Sequence, residues 1–282
     1  DLSTVVVDRN DRPLRAFASR KSVWRFAVTA DQVAPDYFRA LFAFEDRHFF
    51  RHPGVNPAAV VRAGWQALRS GRVVSGASTL TMQVARILSP QERTLGAKLK
   101  QMLRALQMER RLSKAEILDL YLNYAPFGGT VQGVEAASFA YLGKSARSLS
   151  LAEAALLVAL PQAPSRLRPD RHPEAARKAR DKVLQRMVDL AVITPDAAAA
   201  AMREPVEARR LAVPIWAPHL AQRLRSRNPR EAVIHTTIDI ELQMGLEARV
   251  AEYFGRRDRR VSAAVLVMDH RDGAVLAYLG GV

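Results

Sequence analysis

Ser150-Leu151-Ala152-Glu153-Ala154-Ala155-Leu156-Leu157-Val158-Ala159-Leu160-Pro161 decides the fold class. Ser150 is an N-cap residue, and Glu153 three places on completes a capping box. A helix is therefore predicted over 150–160. Ala154 to Leu160 is the longest apolar stretch of the chain, and Pro161 stops it because Pro cannot continue a helix. No run of 18 apolar residues occurs, so no transmembrane helix is expected within the chain.

The same signals recur outward from there. Ser113 with Glu116 is a second capping box, and Thr194-Pro195 is an N-cap followed by Pro at the first helical position. Ala/Leu/Arg stretches with helical spacing predict further helices at roughly 35–48, 57–70, 78–88, 93–111, 114–123, 130–141, 173–191 and 195–203. The two ends read as β. Thr4-Val5-Val6-Val7 is β-branched, and Asp8-Arg9-Asn10-Asp11 has turn chemistry. His235-Thr236-Thr237-Ile238 is strand-like, and Ile240 to Phe254 is a helix. Two strand-like runs then flank His270-Arg271-Asp272-Gly273, a hairpin signal. The expected fold is mainly α, with short β-rich segments at both ends, α+β overall. Its expected parts are a β-rich segment 1–30, a helical domain 31–205, a Pro- and Arg-rich linker 206–232, and a β-rich segment 233–282. The two β-rich ends either pair with each other or begin another domain.

The chain has 282 residues, 49% of them apolar. That is one large domain or two smaller ones, and it excludes wholesale disorder. With no Cys, disulfides, zinc-thiolate sites and a catalytic thiol are excluded. Lys and Arg number 43 against 28 acids, a net charge of +15, and 36 of the 43 are Arg. Such a balance fits nucleic acid, an anionic membrane surface or a phosphorylated substrate. The first residue is Asp1 rather than Met, and the last four are Leu279-Gly280-Gly281-Val282. A piece of a longer protein is expected. P-loop, dinucleotide-fold, zincin and serine-elbow motifs are absent, as are Ser-x-x-Lys and Lys-Thr-Gly.

From Arg47 to Met108 there are ten Lys/Arg and one acid, Glu92. Just ahead of this tract, Glu45-Asp46 sits between Phe42-Ala43-Phe44 and Phe49-Phe50. Apolar flanks raise a carboxyl pKa toward neutrality, which suits general acid/base work. A helix end whose acids pair with Arg47 and Arg51 explains the same residues. Gly76-Ala77-Ser78-Thr79-Leu80-Thr81-Met82-Gln83 offers a flexible turn, with Ser78 as the expected N-cap of a helix whose start favours anions. Arg86, Arg93, Lys98, Lys100 and Arg104 follow, either a phosphate-tracking face or a solvated one.

Taken in order, these stretches resemble the peptidoglycan glycosyltransferases of family 51, the domain found in class A penicillin-binding proteins. The resemblance rests on Glu45-Asp46-x-x-Phe49-x-x-His52-x-Gly54, then Gly76-x-Ser78-Thr79-x-Thr81-x-Gln83. It continues in Lys114-x-x-Ile117-Leu118-x-x-Tyr121-x-Asn123, and in Gly133 to Lys144 with Leu151-x-Glu153-Ala154-Ala155. Ala125-Pro126-Phe127-Gly128-Gly129-Thr130 and Pro161-Gln162-Ala163-Pro164-Ser165-Arg166 add to it. It covers about residues 35–190. The stretch from about Ser262 resembles the start of the transpeptidase domain of such proteins. In one place the chain departs from the pattern. Where the family's third motif reads Arg-Lys-x-x-Glu, this chain has Ala97-Lys98-Leu99-Lys100-Gln101. Gln101 cannot hold charge or move a proton, which throws the weight onto Glu45.

The resemblance implies a lysozyme-like helical domain that polymerises lipid II, with Glu45 and Gln101 at the catalytic positions. It implies substrate contacts at Asp46, His52, Ser78, Thr79, Gln83, Arg86, Arg93 and Lys98. No resident cofactor or metal is expected in the protein, and a divalent cation, Mg or Mn, is considered at the substrate's pyrophosphate. The expected partners are lipid II, the growing glycan strand, the membrane surface and other cell-wall synthesis proteins, with no nucleic acid. The expected place is the periplasmic face of the inner membrane, with a single N-terminal anchor outside this stretch. A glycan hydrolase of the same fold is the alternative, and it needs an acid and a base but no phosphate-binding cluster. A nucleic-acid binder would explain +15, yet most aromatics here sit in apolar runs rather than on a basic face.

Overall fold

The structure is a computed structural model. It describes residues 2–19, 21–70, 78–90, 92, 94–206, 214–255 and 262–280, without the side chains of 63, 64, 66–70, 95 and 255. The chain divides into two compact units, Asp1–Ala27 with Ala212–Val282, and Val28–Leu211.

The first unit joins the two ends of the chain. Strand β1 (Thr4–Val7) pairs antiparallel with β2 (Pro13–Phe17). The turn between them is organised by buried Asp8, whose Oδ1 accepts the Asn10 and Arg12 N–H groups at 2.8 Å each.

The second unit is helical, as expected. Its helices are α1 (Pro35–Phe44), α2 (Pro57–Ser70), α3 (Leu80–Leu88), α4 (Leu95–Glu109), α5 (Lys114–Tyr124), α6 (Val134–Leu142), α7 (Leu151–Ala159), α8 (Pro173–Asp189) and α9 (Pro195–Arg203). A small antiparallel ribbon of β3 (Pro126–Gly128) and β4 (Val131–Gln132) lies between α5 and α6. Ser113, Ser150 and Thr194 cap α5, α7 and α9 as their sequence signals predict, the first two as full capping boxes. Helix α7 is the centre of the unit. Ala152 and Ala154 to Ala159 are all buried, and the helix packs against α1 and α8. Burying Leu156, Leu157 and Leu160 contributes about 1.5–3 kcal/mol each. A smaller cluster of Val55, Met82 and Ala105, flanked by Val60 and Met102, joins α2, α3 and α4.

The chain then returns to the first unit. Residues 206–232, expected as a linker, contain helix α10 (Pro218–Arg227). Pro218 starts it at a position where the missing N–H is no loss. Leu220, Ala221 and Leu224 pack it onto Val6, Leu14, Phe17 and Ile234. Its arginines mask this apolar stripe in a composition count. Strand β5 (Val233–His235) runs parallel to β1, with Val5 opposite Val233, so the sheet order is β2-β1-β5. Helix α11 (Ile240–Gly255) follows, then the hairpin of β6 (Val265–Met268) and β7 (Val275–Leu279). Gly273 takes φ +73° in the hairpin turn, where a side chain would be strained. Buried Gln243 of α11 exchanges two hydrogen bonds with the Tyr278 backbone, at 2.7 and 2.9 Å.

Candidate active site

The site belongs to the helical unit. Glu45 caps the C-terminus of α1, its own N–H still bonded to the Leu41 carbonyl at 2.8 Å. Its carboxylate leaves the helix between two amides. Gln83 Nε2 of α3 donates to Oε2 at 2.6 Å, and Gln162 Nε2 donates to Oε1 at 3.0 Å. Burial pushes the Glu45 pKa above the ordinary glutamate range. The Gln162 and Gln83 hydrogen bonds and the charge of Arg86 oppose that rise, and neighbouring Asp46 adds to it. The result is a carboxylate that is more basic than an exposed one and is held by neutral donors. It does not pair with Arg47 or Arg51.

Asp46 points the other way. It is 7% exposed, as is His52, and His52 Nε2 lies 3.0 Å from both Asp46 oxygens. Asp46 Oδ2 also accepts the Leu80 N–H at 3.0 Å, so an anion sits on the first free amide of α3. Thr79 is the true N-cap of α3, accepting from Met82 N at 3.2 Å and donating to the Gly54 carbonyl at 2.5 Å. Gly54 adopts φ +88°, and a Cβ there would meet the Ala105 carbonyl oxygen at 2.7 Å. Only glycine lets this loop lie against α4.

Behind α3, helix α4 presents Lys98 and Gln101. Lys98 Nζ donates to Ser78 Oγ, which makes Ser78 a partner of the lysine rather than the N-cap. Partial burial lowers the Lys98 pKa from the usual lysine value, and the charge of Arg86 lowers it further. Two cations near enough to repel each other, one of them also attracting Glu45, suit an anionic group between them. Gln101 Nε2 donates to the Met82 carbonyl at 2.6 Å, a tie between α4 and α3.

The expected site residues thus separate. Glu45, Gln83, Arg86, Lys98 and Ser78 gather at one place. Asp46, His52 and Thr79, expected at the substrate, are buried and engaged with the framework, because a carboxylate between two elements is satisfied more cheaply by an imidazole and a helix N–H than by exposure. Gln101, expected at a catalytic position, has its side-chain N–H turned to the backbone of α3. Arg93, with Gly76 and Ala77, lies outside the described residues. Sequence reasoning missed Gln162, which stands just past Pro161 in a stretch quoted only for its resemblance. It also missed Glu109, which receives Thr81 Oγ1 at 2.5 Å and Lys114 Nζ at 2.6 Å. Lys114 reaches the His52 carbonyl at 2.7 Å and lies 4.5 Å over the Phe49 ring. Glu109 is one of just two acids in the middle of a basic run, Glu92 being the other, and that isolation is a signal that could have found it.

A divalent cation held by the protein alone does not fit this donor set. Asp46 is committed to His52 and Leu80, and no cluster of three His, Asp or Glu side chains is placed to hold a metal among the described residues.

The chain is similar in sequence to known proteins. Residues 10–188 match the transglycosylase family. The chain is 51% identical over 278 residues to penicillin-binding protein 1C of Escherichia coli (strain K12), covering 99% of this chain and 36% of that protein. It is 43% identical over 187 residues to penicillin-binding protein 1A of Aquifex aeolicus (strain VF5), covering 66% of this chain and 26% of that protein. The chain therefore spans about a third of the length of these curated relatives. Among solved structures, the crystal structure of penicillin-binding protein 1A from Haemophilus influenzae aligns over 93% of this chain and 31% of that one, with a TM-score of 0.43 and 20% identity.

Proposed function

The chain belongs to the transglycosylase family, and on that premise we propose that it polymerises lipid II into β-1,4-linked glycan, with Glu45 as general base. The 4-hydroxyl of the acceptor sugar attacks the anomeric carbon of the donor strand. A carbon–oxygen bond forms there as the bond to the lipid pyrophosphate breaks. The hydroxyl proton passes to Glu45, the electron pair leaves with undecaprenyl pyrophosphate, and the anomeric centre inverts. Arg86 and Lys98 hold the pyrophosphate, whose leaving oxygen gathers charge in the transition state.

The observation that carries this reading is the Glu45 carboxylate itself. It is made more basic by burial, held by two neutral amides, and attracted by the Arg86 cation, which in turn has Lys98 near it. A hydrolase of similar shape would need a second carboxyl group as acid. At the position where the family has its second acid, this chain has Gln101, whose N–H is spent on Met82.

The substrate is a lipid, and the surface supports a membrane setting. Phe50, Val61, Trp65, Leu99 and Leu103 are exposed, Trp65 by 68%. Where such side chains form a contiguous patch they mark sites that meet lipid or protein, and the +15 charge favours anionic headgroups. No helix among the described residues is long and apolar enough to cross a membrane. The setting we propose is the periplasmic face of the inner membrane, with an anchor outside this stretch. The resemblance of the segment after Ser262 to a transpeptidase start supports a bifunctional parent protein that works with other cell-wall synthesis proteins. The test is to incubate the chain in detergent with labelled lipid II and look for polymeric glycan and released undecaprenyl pyrophosphate.

A further inference from the structure

The Glu45 carboxylate is gripped from two separate elements. Gln83 lies in the first turn of α3, whereas Gln162 ends the 3-10 turn Leu160–Gln162 that continues α7. Leu160 and Pro161 are buried and fix that turn in the core, while Gln162 is exposed and reaches Glu45 Oε1 at 3.0 Å. Among the described residues these two amides are the only side chains that hydrogen-bond the carboxylate. An ionised carboxylate only accepts, so both amides present N–H groups to it. Both therefore favour the ionised form, and each oxygen keeps a second lone pair for an incoming proton.

The other groups that act on Glu45 do so without a hydrogen bond. Arg86 of α3 attracts its charge, and Asp46, next in the chain, repels it. Tyr37 of α1 and Tyr121 of α5 are fully buried phenols that burial and the Glu45 charge keep neutral. Lys98 of α4 is hydrogen-bonded to Ser78.

We propose that Gln162 is a positioning residue for the base, fixing the plane of the Glu45 carboxylate and holding it ionised until the attacking hydroxyl arrives. This rests on the glycosyltransferase reading given above. The attacking O–H bond breaks, the proton joins Glu45, and no redox change occurs. Once neutral, the Glu45 acid needs an acceptor for its own O–H, and a half-turn of the Gln162 amide supplies its carbonyl oxygen. Anchored in the turn that follows α7, Gln162 couples the base to that buried helix.

Two variants of opposite sign test this in the whole chain. Gln162→Met keeps the length and removes the donor, and Gln162→Lys keeps a donor and adds charge. The Glu45 carboxyl carbon is titrated by ¹³C NMR, its signal identified by its loss in Glu45→Gln, and polymerisation of lipid II is followed against pH. The Met variant is expected to move the Glu45 titration and the acid limb of kcat to higher pH, and the Lys variant to move both to lower pH. At neutral pH the Met variant is expected to lose about 10–100-fold in kcat with KM little changed, the pattern of a misplaced catalytic group. If both variants leave the Glu45 titration at the parent value, or shift it in the same direction, Gln162 does not position the base. If the parent chain makes no glycan, the glycosyltransferase reading fails, and the NMR titration still decides the role of Gln162.

Discussion

Gln101 donates its side-chain N–H to the Met82 carbonyl at 2.6 Å, tying α4 to α3 just behind the Glu45–Gln83 contact. An acid at this position would set oxygen against oxygen. The Gln in place of the family's Glu is thus a local fit as well as a loss of charge.

Gln101→Ala is expected to cost about 0.5–1.5 kcal/mol of stability, the scale of one hydrogen bond, and less turnover than any change at Glu45. Gln101→Glu is expected to be less stable than the parent at neutral pH and to recover at acid pH, where its carboxyl can donate again. Urea melts at both pH values check the sign. A Gln101→Ala protein as inactive as Glu45→Gln would give Gln101 a role beyond this tie.

The raised pKa of Glu45 fixes two signs. The base works ionised, so polymerisation falls as pH drops through the Glu45 pKa, at higher pH than an exposed glutamate would give. Folding favours the protonated form. The stability that comes with it is complete below the unfolded glutamate pKa and is lost as pH rises through the folded value. Glu45→Gln should therefore melt above the parent at neutral pH and level with it at acid pH. Equal melting points throughout would mean that the carboxylate is not desolvated.

Asp46 serves the framework. Asp46→Ala leaves the buried His52 Nε2 and the Leu80 N–H without their acceptor, and should cost about 1–3 kcal/mol for each buried group left unsatisfied. Chemical denaturation measures it. A loss of turnover with unchanged stability would place Asp46 at the substrate instead.

The cations should matter more to reaction than to binding. Lys98→Ala is expected to lower turnover about 10²-fold, the scale of one preorganised donor at developing charge. Arg177→Ala, on the solvent face of α8 and ion-paired with Glu174 at 2.9 Å, should change it little. Steady-state rates on lipid II compare the two, and equal losses would reduce the cluster to general surface charge.

What could be read in the sequence was local. Helix α7 carries its own start signal, its apolar run and its stop, and α5 and α9 carry caps of the same kind. The pairing of β1 with β5 joins opposite ends of the chain, and no local pattern encodes it. The stripe of α10 hides among arginines because a composition count weighs every face of a helix equally. At the site, the residue types were visible but their directions were not. Glu45 and Asp46 are neighbours, yet one faces two amides and the other is closed in with His52, since successive residues at a helix end diverge. Ser78 and Thr79 exchange roles for the same reason. Gln162, a single glutamine between prolines, shows its partner only once α7 is packed beside α1.

On the reading proposed above, this chain joins sugars from lipid II with Glu45 as its base. Labelled lipid II, incubated in detergent with the parent chain and with Glu45→Gln, measures it directly. Polymeric glycan is expected from the parent and a rate lower by about 10²–10⁴-fold from the variant, with both proteins folded. Glycan formed at similar rates by both, or none formed by the folded parent, would contradict it.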